Sequence, residues 1–484
     1  MIREETVTPD KSLMNSVAPL APLDLLRAEG WRPPAPTLRS NLAIGLRILF
    51  QRSPDLLQTL PRDCYIKDIV TVPVGKRPVF IVNHPEIIRR ILSEDRANYP
   101  KSDLMVSALS PLLGDGVLIS SGELWEHDRQ MLEPAFMHMR LAHMFPDMRE
   151  AVHDFVERLQ LLEEDAIVDL ESELTHVTAD IMLRTIFSKP IGASRADAVF
   201  EAFSSFQKNS PQFQLQHVLA SDPRKPALPS AELMRDAAIL RDLLAAMLDE
   251  RLTLNLQGKV FVDFAQAVID ARDAEGLPFS REKIIDQLAV FFLAGHETTA
   301  SSLCWTFFML SQQPQILVKL RDEIRNVLAN RPFEFDDFKS LGFIRDVFRE
   351  SLRLYPPAAF LTRRALKEDQ FEHLKVPADS FIVISPWLIH RHQAYWPQAD
   401  RFIPERFDVT ASAPVPGTYL PFGLGPRACT GATIAQLEAS LILCEVLRRF
   451  SFVPLNPSSV FPISRVSVRP SEGIRCRVEK NDTC

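Results

Sequence analysis

No window of this chain approaches the ~18 uncharged apolar residues that a membrane-crossing helix needs. The best apolar run, Leu288 to Ala294, is short and soon meets His296 and Glu297. The first residues, Met-Ile-Arg-Glu-Glu, lack the apolar core of a secretory signal. We therefore expect a cytoplasmic protein with no membrane anchor. Cysteines are few and scattered, at Cys64, Cys304, Cys429, Cys444, Cys476 and Cys484, with no C-x-x-C pair. That argues against a disulfide scaffold or a zinc site and suits a reducing compartment. The net charge of −7 leaves no footprint for nucleic acid. There is no G-x-G-x-x-G turn for a dinucleotide, no flavin-type segment and no cysteine cluster for iron–sulfur. Glycine is sparse at 16 residues and proline plentiful at 37, which suggests long helices broken by rigid turns.

What is present reads as one large mixed domain over residues 61–484, mainly α with a small β region, behind an arm at 1–60 with some helix. Residues 66–82 carry β-branched residues around Val-Gly-Lys-Arg-Pro, a predicted hairpin. Pro85 to Leu92 starts a helix, and residues 120–330 are mostly helical in pattern. Four prolines within 210–230 suit a mobile loop. Residues 376–384 read as a turn and strand, and 463–478 as a terminal hairpin.

The chemistry concentrates near the C-terminus, in Phe422-Gly423-Leu424-Gly425-Pro426-Arg427-Ala428-Cys429-Thr430-Gly431. A lone buried cysteine is usually structural. This one is hemmed by Gly423, Gly425 and Gly431, which permit positive φ and a close backbone approach. Arg427 supplies a cation two residues away. A thiolate so placed suits a transition metal, above all heme iron that must receive electron density. Upstream, Ser280 can cap a helix that runs to about Gln312 and spans about 50 Å. Its middle reads Ala294-Gly295-His296-Glu297-Thr298-Thr299. Gly and Thr are poor helix formers, and the Thr298 hydroxyl can bond the carbonyl of Ala294 and loosen the helix. Glu350 and Arg353 share one face of a predicted helix over 337–354. Trp125 and Arg129 lie one turn apart on another amphipathic stretch.

Taken together these motifs resemble the cytochrome P450 superfamily over roughly residues 66–478. The resemblance implies a heme b cofactor with Cys429 as proximal iron ligand, set in a loop anchored by Phe422, Gly423 and Gly431. It implies that Ala294 and Gly295 line the oxygen pocket, and that Glu297 and Thr298 deliver protons. Trp125, Arg129, Arg427 and Arg363 would hold the propionates, with the choice between Arg363 and its neighbour Arg364 left open. Phe402-Ile403-Pro404-Glu405-Arg406-Phe407 would bring Arg406 onto Glu350 and Arg353 as a structural ion triad. Val290, Leu293, Ala294, Ala358, Phe360 and Leu361 would line the substrate pocket. A loop at 103–113 would join them, under a helical roof at about 198–215. An Ala378-Asp379 pair stands where relatives usually carry Ala-Gly. Trp31-Arg32-Pro33-Pro34-Ala35-Pro36 resembles the proline hinge of microsomal relatives, with no membrane-length hydrophobic run before it.

The implied activity is that of a monomeric heme-thiolate monooxygenase, which hydroxylates or epoxidises a small apolar substrate: a fatty acid, terpenoid or aromatic. Electrons would come from a separate ferredoxin or flavodoxin with its NAD(P)H-dependent reductase. Two alternatives remain at this point: a peroxide-driven heme-thiolate peroxygenase, and a non-catalytic heme-binding sensor.

Overall fold

The computed structural model of the chain describes residues 31–38, 55–74, 77–189, 202–203, 205–206, 229–329 and 331–481. Nearly all of the expected loop at 210–230 and most of the arm and roof lie outside them. The longer helices are α1 (Asp103–Leu113), α2 (Gly122–Leu132), α3 (His138–Gln160), α4 (Leu170–Phe187), α5 (Ala231–Leu256), α6 (Phe264–Asp270), α7 (Arg281–Ser311), α8 (Pro314–Leu328), α9 (Gly342–Leu354) and α10 (Ala432–Leu447). The main sheet joins β1 (Ile69–Val74), β2 (Arg77–Val82), β4 (Leu361–Arg364) and β7 (Phe381–Ile384) in the order β1-β2-β7-β4. The β2–β7 pairing is parallel and the other two are antiparallel. Between β4 and β7 in the chain, β5 (Asp369–Phe371) and β6 (Leu374–Val376) pair as a small antiparallel ribbon. Among the described residues no helix is long and apolar enough to cross a membrane.

Helix α7 is the axis of the molecule. Ser280 caps it by accepting the Lys283 N–H, and Pro314 opens the next helix just beyond its end. Nearly every residue from Leu288 to Leu310 is buried, so its apolar run serves a protein core rather than a bilayer. Trp305 stacks on Tyr355 with centroids 3.9 Å apart, and its indole N–H donates to the Val468 carbonyl. That carbonyl belongs to a short hairpin, β9 (Pro462–Ser464) and β10 (Val468–Pro470).

Three local expectations need correction. Residues 103–113 form helix α1, not a loop: Leu, Met and Ala are good helix formers, and the helix ends two residues after Pro111, which has no N–H to continue the ladder. The helix stops at Gly114, whose φ is 51° and where a Cβ would lie 2.1 Å from Asp286. The span 463–478 is not one hairpin. It turns tightly at 465–467, and β11 (Arg475–Lys480) leaves to pair with β8 (Phe450–Pro454) and β3 (Ile167–Asp169). Helix α9 begins at Gly342 rather than 337, because a separate capped turn over Phe335–Lys339 precedes it.

Candidate active site

The loop that carries Cys429 is closed by its own backbone. The Cys429 N–H donates to the Phe422 carbonyl at 2.8 Å, and the Gly423 N–H to the Leu420 carbonyl at 3.1 Å. Gly423 and Gly425 both take φ of 73°. At Gly425 a Cβ would lie 2.5 Å from the Leu92 carbonyl oxygen, so the loop needs glycine there for space as well as for conformation. Among the described cysteines only Cys429 is exposed, and it faces an internal cavity of about 390 Å³. Crowding by protein raises the pKa of its thiol; the Gly431 N–H aimed at sulfur and the Arg129 charge act the other way.

The cavity separates the Cys429 loop from α7. Val290, Leu293, Ala294, Ala358, Phe360 and Leu361 all line it, as do Met105 and Leu109 of α1. Ala294, Gly295, Glu297 and Thr298 stand in its α7 wall. The Thr298 hydroxyl donates to the Ala294 carbonyl at 2.7 Å, and Ser302 repeats the pattern onto Thr298. Gly295 also has a packing role: a Cβ would lie 2.3 Å from the Met182 sulfur of α4. His296 points away, buried between Phe292 and Phe203. Glu297 is held from the β9–β10 hairpin, where Ser467 donates to it at 2.6 Å and Arg469 at 2.9 Å. Arg469 lies 3.1 Å from Glu171 as well, so one guanidinium bridges two carboxylates. Ser467 and Arg469 carry no sequence signal, since they reach Glu297 across 170 and 172 residues.

Four cations meet at the edge of the cavity: Lys101, Arg129, Arg363 and Arg427. Arg129 donates to the Ala428 carbonyl at 3.1 Å. Arg427 donates to the Ser120 carbonyl at 3.0 Å and lies 4.1 Å over the Trp125 ring, and its other terminal nitrogen is buried without a partner. Burial pushes Arg363 down to about 10. Burial, with Arg363, Arg96 and Arg129, does the same to Arg427. Lys101, which sequence reading missed, is half-buried with its ammonium on the Leu118 carbonyl; desolvation of that ammonium, then Arg427 and Arg363, hold its pKa well below the usual value. Like charges crowded this way call for an anionic partner. Arg364 turns elsewhere, onto Asp379 at 2.6 Å and Asp103 at 3.1 Å. Asp379 sits at φ 66°, the conformation glycine adopts freely, and its carboxylate takes Arg364 out of the cavity.

The residues present fit a heme. A sulfur donor faces the cavity, apolar walls can sandwich a flat ring, and a cation cluster with an orphaned guanidinium nitrogen can take two propionates.

One buried acid is conspicuous. Glu438 of α10 also lines the cavity, is 1 % exposed, and has one oxygen without a hydrogen-bond partner. Burial raises its pKa well above the ordinary value, so the native state keeps a proton that the unfolded chain releases above about pH 4.5. Its contribution is therefore intact at low pH and lost as pH rises toward the native pKa. Glu438→Gln has no proton to lose. Its thermal midpoint, measured from about pH 5 to about pH 9, is expected to gain steadily on that of the parent. A difference that stays constant with pH would refute a neutral Glu438.

Comparison with known proteins agrees with this geometry. The family model described as Cytochrome P450 matches residues 33–477. Human Cytochrome P450 4F2 is 30% identical over 438 residues, covering 85% of this chain and 81% of the relative. Cyclooctatin synthase of Streptomyces melanosporofaciens is 29% identical, covering 88% and 91%. Cytokinin hydroxylase of Arabidopsis thaliana is 29% identical, covering 83% and 78%. Among solved structures, the heme domain of a cytochrome P450DA mutant superposes with a TM-score of 0.74 at 20% identity, covering 86% of this chain and 90% of that one. A cysteine loop, a threonine-bearing helix and a cation cluster around one cavity, in a chain matched almost throughout by this family model, make the protein a cytochrome P450, a heme-dependent monooxygenase.

Proposed function

We propose that this cytochrome P450 hydroxylates or epoxidises a small, largely apolar organic molecule, with residues 61–484 acting as one catalytic domain. The observation that carries this reading is the lining of the cavity, where Met105, Leu109, Val290, Phe291, Leu293 and Phe360 face the space between α7 and Cys429. A bound heme would supply dioxygen activation, with Cys429 as the thiolate that would donate electron density to its iron. The chain's own residues do the rest. Arg129, Arg363, Arg427 and Lys101 grip the propionates, with Trp125 under Arg427. Glu297 and Thr298 move protons at the Thr298 hydroxyl, and the ties from Ser467 and Arg469 set where the Glu297 carboxylate can swing. Electrons reach the cofactor from a separate ferredoxin or flavodoxin with its NAD(P)H-dependent reductase. The intact Glu297–Thr298 pair favours this over a peroxide-driven reaction, because peroxide brings its own two protons whereas reduced dioxygen must draw two from protein and solvent. Terpenoid and fatty-acid substrates both suit the apolar walls.

A substrate-induced spin-state screen over fatty acids, terpenoids and aromatics tests the reading. At least one class should shift the ferric spin state, and silence across all three would remove the apolar-substrate claim. Thr298→Ala should bind the same compound yet divert electrons to peroxide. Proton-handling residues are worth ~10²–10⁴-fold, so product per electron should fall at least several-fold. Unchanged coupling would take Thr298 out of the proton path.

A further inference from the structure

The cavity holds a fifth cation, apart from the four above. Arg465 stands at the turn of the β9–β10 hairpin and lines the same cavity as Cys429, with Ser464 and Val466 beside it. It is not part of the Lys101–Arg129–Arg363–Arg427 cluster. Its electrostatic neighbours are Asp55 and Glu171. Neither forms an ion pair with it. Asp55 accepts the Leu57 N–H at 2.9 Å and the Ser464 N–H at 2.7 Å. Glu171 is joined to Arg469. Among the described residues the Arg465 guanidinium has no hydrogen-bond acceptor, although such a fork carries five donors.

The turn that carries it is built rigidly. The Arg465 N–H closes onto the Ser467 carbonyl at 2.9 Å, and the Val468 N–H donates to the Pro357 carbonyl at 3.0 Å. Ser301 and Trp305 of α7 donate to the Val468 carbonyl at 2.6 and 2.8 Å, and Ser467 donates to Glu297. Asp55 holds the other strand through Ser464. A turn tied this firmly to α7 presents its arginine to the cavity at a defined place, which preorganises a charge for a ligand.

We propose that Arg465 is an anion-recognition point for substrate, and that the substrate is an organic acid: an apolar body with one carboxylate, gripped by Arg465 while the apolar end lies toward Cys429. Arginine suits this because its planar fork matches a carboxylate bidentately. The inference rests on the monooxygenase reading above and names its substrate class. The Arg465 contact sets binding and orientation and takes no part in proton handling.

The test compares each acid with its own neutral ester, using dodecanoic acid and methyl dodecanoate, then 4-phenylbutyric acid and its methyl ester. The readout is the dissociation constant from spin-state titration of the purified, heme-loaded protein. In at least one pair the acid should bind about tenfold or more tightly than the ester. Arg465→Gln should weaken that acid by about 10–100-fold, leaving the ester unchanged, and Arg465→Lys should retain part of the preference. Binding of the acid to the unaltered protein should also weaken as salt is raised, whereas ester binding should not. That arm needs no variant, so it decides even if Arg465→Gln fails to fold. The inference is overturned if no acid is preferred over its ester, if Arg465→Gln binds the acid as tightly as the parent, or if salt affects both ligands alike. Failure of the underlying reading is separate: it would show in the parent protein as the absence of a thiolate-type carbon monoxide spectrum.

Discussion

Cys429→Ser is expected to abolish the strongly red-shifted Soret band of the reduced protein under carbon monoxide, while Cys444→Ser leaves it intact. The contrast follows from placement. Cys444 lies in the last turn of α10 with 0% exposure, and burial raises its thiol pKa well above the usual value, so it stays a thiol. Cys64, Cys304 and Cys476 are also buried, and burial pushes each of them up as well. Cys429 alone among the described cysteines faces the cavity, with the Gly431 N–H directed at its sulfur. A serine hydroxyl is a harder and far weaker donor to iron, so the change should be near-complete rather than graded. An unaltered band in Cys429→Ser, or an imidazole-type spectrum in the parent, would overturn the ligand assignment.

Breaking the Glu350–Arg353 pair should cost about 3–5 kcal/mol of stability, because it strands a buried charge. Both residues are 0% exposed. Arg353 donates to Glu350 at 2.7 and 2.8 Å, to the carbonyls of His390 and Ala399 at 2.8 and 2.7 Å, and to that of Arg401 at 2.8 Å. That occupies every donor a guanidinium has. Glu350 also accepts the Ile403 N–H at 2.8 Å and Arg406 at 3.3 Å. The path to the heme loop then runs through His390. Its Nδ1 lies 3.1 Å from the Arg353 carbonyl, and its Nε2 accepts the Leu420 N–H at 2.7 Å. Leu420 in turn anchors Gly423. Burial, then the Arg353 charge, push the His390 pKa down to about 3, so the ring stays neutral and can accept.

Arg353→Lys, with three donors for five acceptors, should therefore unfold earlier and lose heme on purification. His390→Phe should keep the pair but loosen the loop, which would appear as a weaker carbon monoxide band with a smaller loss of thermal stability. Lys319→Gln is the control. Its pair with Glu405 is about half exposed, at 53% and 52%, and should change stability by less than about 1 kcal/mol. Equal effects at Arg353 and Lys319 would remove the buried network from its proposed role.

Much of this site is legible in the sequence because its residues sit close together in the chain. Cys429, Arg427 and the loop glycines fall within ten residues, and Glu297 and Thr298 are adjacent. Glu350 and Arg353 share a helical turn, and the Ser280 cap marks the start of α7 through ordinary hydrogen-bond chemistry. The choice between Arg363 and Arg364 is not legible there. On a strand, neighbours point to opposite faces, and a one-residue slip exchanges them. Only the register of β4 against β7, with Asp379 waiting in a left-handed turn, sends Arg363 inward and Arg364 outward.

By itself, then, the sequence determined the candidate ligand loop, the helix opposite it, the helix-borne ion pair and the apolar character between them. Each is a local pattern whose residue types the chemistry restricts. Tertiary structure decided the rest. Lys101 joins Arg363 across the chain, Arg469 and Ser467 reach Glu297, His390 ties the ion pair to the loop, and Arg465 enters the cavity. None of these residues is unusual in type or spacing. Each acquires its role when a distant segment closes on it and removes the water that would otherwise screen its charge or satisfy its donors. Burial of that kind is a property of the packed chain and leaves no trace in the order of its residues.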